Sequence, residues 1–334
     1  MISVAIICGG RSSEHEISCI SATGIISAID RSKYQPSLIG ITKSGKWVSL
    51  PTDTKFEIKG DVLPEVPEDA PEIAINSIKA DVIFPILHGP YGEDGTIQGL
   101  IEMLDIPYVG SGVLASAVAM DKDFAKQIFR SHGIKVAPGF ILREQDEITD
   151  RGFAYPLFVK PARGGSSRGT HKVKSAEQLN AAVKDAFKYD HKVLIESAIV
   201  GREVECAVLE IKGEVTCSVP GEIKIDPKFE FYDFEAKYLD GATTVAAPAD
   251  VKRDKDLQSA AIEAFRALGC SGLARVDFFY TSDDQIIINE LNTMPGFTAT
   301  SVFPKLWSVS GLNYREIISA LIETALSRTN SVLN

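Results

Sequence analysis

The sequence predicts an α/β fold, and three observations carry that reading. Residues 3–8, "SVAIIC", form an apolar run of strand length. "GGRSSEHE" follows as a turn and "ISCISATGIISAI" as a helix, the opening of a βα unit, where strand ends and helix N-termini gather ligands. A second buried strand, "DVIFPIL" (81–87), runs into "HGPYGEDGTIQG", whose four glycines in twelve residues mark a loop of close backbone approach. Strand-like and helix-like periods then alternate along the rest of the chain.

Residues 51–72 hold four prolines and many acids and read as a surface excursion without visible chemistry. "MDKDFAKQIFRSHG" (120–133) reads as a helix ending at Gly133, followed by strands at 138–142 and 157–161. A helix over 176–188 places Leu179, Ala182, Val183, Ala186 and Phe187 on one face, with Ser175 and Gln178 in a capping-box pattern. "KVLIES", "REVECAVLEI" and "EVTCSV" are strands. A helix over 251–268 groups Leu257, Ala260, Ala261, Ala264 and Leu268. "LARVDFFYT" and "QIIINELN" form a hairpin turning at Asp283 and Asp284. A last helix begins near Asn313, with Glu316 completing its cap.

Composition narrows the partners. The 334 residues suffice for two or three domains, and 45% apolar with 24% charged is ordinary for a soluble globular chain. A net charge of −10 argues against a nucleic-acid partner. No stretch approaches the ~20 apolar residues of a membrane span, so no membrane partner is expected. The apolar run 3–8 is too short for a signal peptide and lacks a basic flank. Five scattered cysteines without a CxxC pair suggest reduced thiols in a cytosolic enzyme.

The hairpin holds the densest chemistry. Arg275 and Asp277 share one face of a strand, and so do Glu290 and Asn292. Charges in apolar strands are costly unless paired or metal-bound. One reading is a structural ion pair of Arg275 with Glu290. The other is a magnesium site, because Asp, Glu and Asn supply hard oxygen ligands without histidine or cysteine. "FVKPARGGSSRG" (158–169) ends a strand on Lys160 and continues into a Gly/Ser loop, with the lysine before the glycines and not after them. Lys160 and Lys122 taken singly read as solvated lysines. Taken with the loop and a magnesium site they make a clamp for ATP. Glu196 and Glu203, around the apolar turn of "IESAIVGRE", are either surface acids or holders of ribose hydroxyls. Glu14, at a helix start, serves either the helix dipole or a substrate ammonium. His88 is either a satisfied loop histidine or a substrate contact.

With these segments in order, the chain resembles the D-alanine–D-alanine ligase family of ATP-grasp enzymes. The matching stretches are "GGRSSEHEIS", "LHGPYGEDGTIQGLIEMLDIPYVGSG", "AMDK", "FVKPARGGSSRG", "FYDFEAKY", "ARVDFF" and "NELNTMPGFTATS", from residue 9 to residue 301. The resemblance implies a three-domain ATP-grasp architecture with an N-terminal parallel-sheet, Rossmann-like domain. The expected domains are 1–120, contributing to the D-alanine site; 121–211, the central ATP-grasp unit; and 212–334, carrying the metal and substrate site. Carried over by motif, Lys122, Lys160 and Lys237 contact ATP phosphates, and "GGSSRG", with Ser166 and Ser167, closes over them. Glu196 and the backbone through Ile199 hold adenine, and Glu203 the ribose. Asp277, Glu290 and Asn292 bind two Mg²⁺ ions, with Mn²⁺ as a substitute. Glu14 holds the ammonium of the first D-alanine, with His88 near its carboxylate. Ser166 and Tyr238 link to Glu14. Arg275 and the Gly296 N–H stabilise the oxyanion, and Ser301 and Val302 place the second D-alanine.

The activity so implied is ATP-dependent ligation of two D-alanines through an acylphosphate, forming a C–N bond and releasing ADP and phosphate, for peptidoglycan synthesis in a bacterial cytoplasm. A homodimer is implied by the same resemblance. Three positions depart from the family pattern: Ser197 where lysine is common, Arg168 where an apolar residue is usual, and Thr300 in place of a common histidine. Two other readings are a ligase taking D-lactate, D-serine or another amine partner, and a nucleotide-binding protein with a relict site. The retained Lys160, Arg275, Asp277, Glu290 and Asn292 disfavour the latter.

Overall fold

The computed structural model describes residues 1–58, 60, 62–225 and 243–328. Lys237 and Tyr238 lie outside the described residues. Three sheets organise the described residues. The first runs β3 (Trp47–Leu50), β2 (Tyr34–Ile41), β1 (Ile2–Gly9), β4 (Val82–Pro85). β1 is parallel to both β2 and β4, while β3 is antiparallel to β2. A parallel strand covered on both faces needs an unbroken apolar run, and Val4 to Cys8 are all fully buried. α1 (His15–Ala28) returns from β1 and packs on it.

The second sheet is antiparallel: β5 (Gly139–Arg143), β8 (Lys192–Ser197), β6 (Leu157–Pro161), β7 (His171–Val173). α5 (Ala176–Ala186) buries Leu179, Ala182, Val183 and Ala186 against it, the face that its 3.6-residue period selects. The capping box expected there does not form as drawn. The Gln178 side chain accepts from Lys174 N–H at 2.8 Å, and Ser175 makes no side-chain cap bond.

The third sheet has six strands: β12 (Thr243–Ala246), β11 (Gly221–Ile225), β9 (Arg202–Ile211), β13 (Leu273–Tyr280) and β14 (Ile286–Asn292) in order, with β10 (Glu214–Cys217) beside β9. Residue 211, where the sequence places the second boundary, is the last residue of β9. β9 pairs with β13 along eight residues, so the sheet break falls between β8 and β9. α4 (Lys122–Ser131) also belongs with this unit in packing, because Ala125 and Phe129 enter a core with Leu257, Phe265 and Val276. α6 (Asp254–Ala267) backs that core.

α7 (Val302–Val309) and α8 (Tyr314–Ser327) join the third unit to the first. Ile317, Ile318 and Leu321 share one core with Val4, Phe84 and Leu273. The cap of α8 is as the sequence predicts: Glu316 N–H donates to Asn313 Oδ1 at 3.1 Å, and Asn313 N–H to Glu316 Oε2 at 2.8 Å. α2 (Thr96–Met103) and α3 (Val113–Met120) complete the first unit. Among the described residues no helix is long and apolar enough to cross a membrane.

Residues 51–72 depart from the surface excursion that their composition predicts. Phe56 and Val66 are buried in the main core. Val66 sits in a space that only glycine leaves open. A Cβ on Gly9 would lie 2.7 Å from Val66 Cγ2, and one on Gly40 2.5 Å from Val66 Cγ1. Its N–H donates to His15 Nε2 at 3.0 Å, while His15 Nδ1 bonds to Gly10 O at 2.6 Å. Acids and prolines dominate the composition, but the two apolar anchors decide where the segment lies.

Candidate active site

Two cavities meet at one point. The larger, about 700 Å³, opens between the second and third sheets and is lined by Lys160, Glu196, Ile199, Glu203 and Asp277 among others. The smaller, about 380 Å³, opens between the first and third units and is lined by Glu14, His88, Arg275, Gly296, Ser301 and Val302 among others. Lys122, Gly164, Ser166 and Glu290 line both. The sequence therefore brings segments from all three units to one junction.

On the larger side, Lys160 lies one residue before the end of β6 and its Nζ donates to Glu196 Oε1 at 2.5 Å and to Asn289 Oδ1 at 3.3 Å. Lys126, one turn beyond Lys122 on α4, donates to Glu196 Oε2. Burial pushes the Glu196 carboxyl up, but the two ammonium groups outweigh it and bring it down to about 2. At the junction Lys122 donates to Gly164 O at 2.8 Å and pairs with Glu290 Oε2 at 3.2 Å. The Gly/Ser loop carries Ser166 and Ser167 at φ 49° and 57°, two consecutive left-handed residues that are not glycine. Such conformations persist only where surroundings hold them. One holder is visible: Ser166 Oγ donates to Glu14 Oε1 at 2.5 Å. Arg163, at the loop base, makes a bidentate pair with buried Asp190.

The hairpin sets Asp277 opposite Glu290 and Arg275 opposite Asn292. Arg275 donates to both oxygens of Asp277 at 2.7 Å and lies 3.0 Å from Glu205 Oε2. Asn292 Nδ2 donates to Asp277 Oδ2 at 3.1 Å. No cluster of three or more His, Cys, Asp or Glu side chains of metal-holding geometry occurs among the described residues. Two carboxylates and an amide are nonetheless the donor set of a hard cation that keeps water and phosphate oxygens as further ligands.

On the smaller side, His88 is buried; its Nδ1 bonds to Met294 O at 3.0 Å and its Nε2 to Ser21 Oγ at 3.2 Å. Burial holds its pKa below the ordinary value, so the ring is neutral. Ser301 stands at the N-cap position of α7 without a side-chain cap bond, and its Oγ accepts from Thr298 N–H at 3.0 Å. Ile58 and Leu63, from the segment between the Phe56 and Val66 anchors, line the same cavity.

Sequence reasoning missed five residues here. Glu93 accepts from Gly89 N–H at 2.6 Å and Met294 N–H at 3.2 Å, tying the "HGPYGEDG" loop to the "NTMPG" loop. Burial first, then the charge of Glu14, push its carboxyl up to about 8. Its signal was present, as an acid inside a glycine-rich loop. Glu205 faces Asp277 across the β9–β13 ladder, which only strand register reveals. Lys126 was legible as i+4 from Lys122 on a helix. Ile58 and Leu63 gave no signal.

Comparison with known proteins decides the family. The family description "D-ala D-ala ligase N-terminus" matches residues 3–111, and "D-ala D-ala ligase C-terminus" matches residues 128–323. A D-alanine--D-alanine ligase of Arthrobacter sp. (strain FB24) is 47% identical, over 97% of this chain and 94% of its own. The chain belongs to the D-alanine–D-alanine ligase family. Among solved structures this ligase is similar to the D-alanine-D-alanine ligase of Coxiella burnetii, with 36% identity, 98% and 96% of the two chains covered, and a TM-score of 0.80. It is similar also to the VanG D-Ala:D-Ser ligase of Enterococcus faecalis, with 35% identity, 97% and 99% covered, and a TM-score of 0.83. A Bacillus anthracis D-alanine--D-alanine ligase solved with ATP is 28% identical, with 98% of each chain covered and a TM-score of 0.76. The fold expected of the ligase, mixed α/β on the ATP-grasp plan, agrees with these neighbours.

Proposed function

We infer that this ligase uses ATP to join two D-alanines into D-alanyl-D-alanine, forming a peptidoglycan precursor. The observation that carries the reading is the junction where both cavities share Lys122, Ser166 and Glu290. A phosphoryl donor in the larger cavity and a carboxylate in the smaller one meet at that junction.

Lys160, Lys122 and Lys237 hold ATP phosphates; Glu196 and the Ile199 backbone hold adenine, and Glu203 the ribose. Ser166 and Ser167 close the loop over the phosphates. Glu14 takes the ammonium of the first D-alanine, and neutral His88 lies by its carboxylate. That carboxylate attacks the γ-phosphate, giving an acylphosphate and ADP. Asp277, Glu290 and Asn292 would hold two Mg²⁺ ions, with Mn²⁺ as a substitute, which supply neutralisation of phosphate charge. Ser301 and Val302, at the N-terminus of α7, set the second D-alanine with its carboxylate toward the helix N–H groups. Its amine attacks the acyl carbon, Arg275 and the Gly296 N–H hold the oxyanion, and phosphate leaves. Tyr238, outside the described residues, is assigned to the Glu14–Ser166 pair by the family resemblance alone. Acylphosphates hydrolyse in water, so loop closure serves to exclude it. A homodimer in the cytoplasm, with domains 1–120, 121–211 and 212–334, completes the reading.

Phosphate release from ATP with and without D-alanine tests it, with products separated by mass. Release that does not depend on D-alanine would overturn the ligase reading. A predominant D-alanyl-D-serine or depsipeptide product in competition would overturn the choice of second substrate.

A further inference from the structure

Lys126 is a buried ammonium that no step of this reaction uses. It lies on α4, with only 2% of its surface exposed, and does not line the nucleotide cavity. Its Nζ donates to Glu196 Oε2, while Lys160 occupies Glu196 Oε1 at 2.5 Å. Glu196 is itself 2% exposed. Burial holds the Lys126 pKa below that of a free lysine, although the Glu196 charge pulls the other way.

This arrangement poses a problem for nucleotide binding. Lys160 is assigned to phosphate, yet here its charge is engaged by Glu196. Moving Lys160 away would strip a buried carboxylate of a counter-ion, which is strongly destabilising when none remains. Lys126 approaches the same carboxylate from behind the cavity wall, on the other oxygen.

We propose that Lys126 is a positioning residue that neutralises Glu196 from behind, so that Lys160 can exchange Glu196 for the phosphates of the nucleotide. The inference rests on the assignment of the larger cavity to ATP. Lys126 keeps the carboxylate ionised while Lys160 moves to phosphate; with no phosphate present, Lys160 itself holds Glu196 in place. Without Lys126, Glu196 retains Lys160 as its countercharge, and phosphate must compete with a buried ion pair.

Calorimetric binding of ADP and of adenosine to Lys126→Met tests this. Adenosine carries no phosphate and does not draw Lys160 away. The expected result is ADP binding weakened by about 10- to 100-fold, with adenosine binding within about twofold of the parent. KM for ATP rises in step, and KM for D-alanine does not move. In a Glu196→Gln background no carboxylate needs neutralising, so adding Lys126→Met changes ADP affinity by less than about twofold. Unchanged ADP binding overturns the proposal. So does an equal loss of ADP and adenosine, which marks a merely structural lysine, and so does a full effect in the Gln background. Should Lys126→Met not fold, Lys126→Gln, which likewise removes the charge, takes its place in every comparison. Failure of the parent protein to bind ADP would instead overturn the nucleotide assignment.

Discussion

Ser166 and Glu14, 152 residues apart, are joined by a 2.5 Å hydrogen bond that the serine hydroxyl donates. The bond fastens a left-handed serine of the Gly/Ser loop to the start of α1, across the junction of the two cavities. We predict that Ser166→Ala lowers kcat/KM by about 10- to 100-fold, because a hydrogen bond to a charged group contributes about 1.5–3 kcal/mol. Steady-state phosphate release checks it. A change below about twofold would detach this contact from the reaction.

The loop itself, residues 163–170, gains protection from hydrogen exchange when ADP, magnesium and a phosphorylated transition-state mimic are added. Its glycines lower the cost of rearrangement, and two strained serines need outside contacts to stay where they are. Equal protection in the free and the liganded protein contradicts the lid role.

Glu290→Gln abolishes turnover and leaves the protein folded. Glu290 faces Asp277 across the hairpin and pairs with Lys122. Loss of one charge-stabilising group costs about 10²–10³ in rate. Circular dichroism separates the outcomes, since unfolding points to a structural pair. Near-normal turnover in excess magnesium would sink the metal assignment.

Acid stability reports on Glu196. Its folded pKa, about 2, lies below the ordinary 4.5, so its contribution is complete above about pH 4.5 and is lost as pH falls toward 2. The loss is on the order of 3 kcal/mol. Urea midpoints across that window should fall more steeply for the parent than for Glu196→Gln, although the variant starts less stable with two lysines unpaired. Parallel slopes would show that the two ammonium groups do not depress this carboxyl.

Leu63 tests the anchored segment between Phe56 and Val66. Leu63→Ser should raise KM for D-alanine by about three- to tenfold, from the ~1 kcal/mol of partial apolar burial lost, and leave KM for ATP alone. Ile58→Ser should act in the same direction. Equal changes in both constants would mean that the segment affects folding and not the amino-acid cavity.

The sequence by itself determined most of the elements and the chemistry they carry. An apolar run marks β1, the hydrophobic period marks α5, because local spacing selects which face is buried, and the Asn313–Glu316 cap marks the start of α8. Spacing by two places Arg275 with Asp277 and Glu290 with Asn292, since side chains alternate along a strand. What lay beyond it is contact between segments far apart in the chain. The pairing of Glu205 with Arg275 and Asp277 depends on β9 lying beside β13, a register that no local pattern states. The break between the second and third sheets, between β8 and β9, follows from that same pairing. Residues 51–72 misled composition because two apolar anchors, Phe56 and Val66, outweigh their acids and prolines once Gly9 and Gly40 leave a space for Val66. The meeting of Ser166 with Glu14, and of Lys126 and Lys160 on Glu196, was decided by tertiary structure alone. A charge reads from sequence as solvated until burial forces it to find a partner.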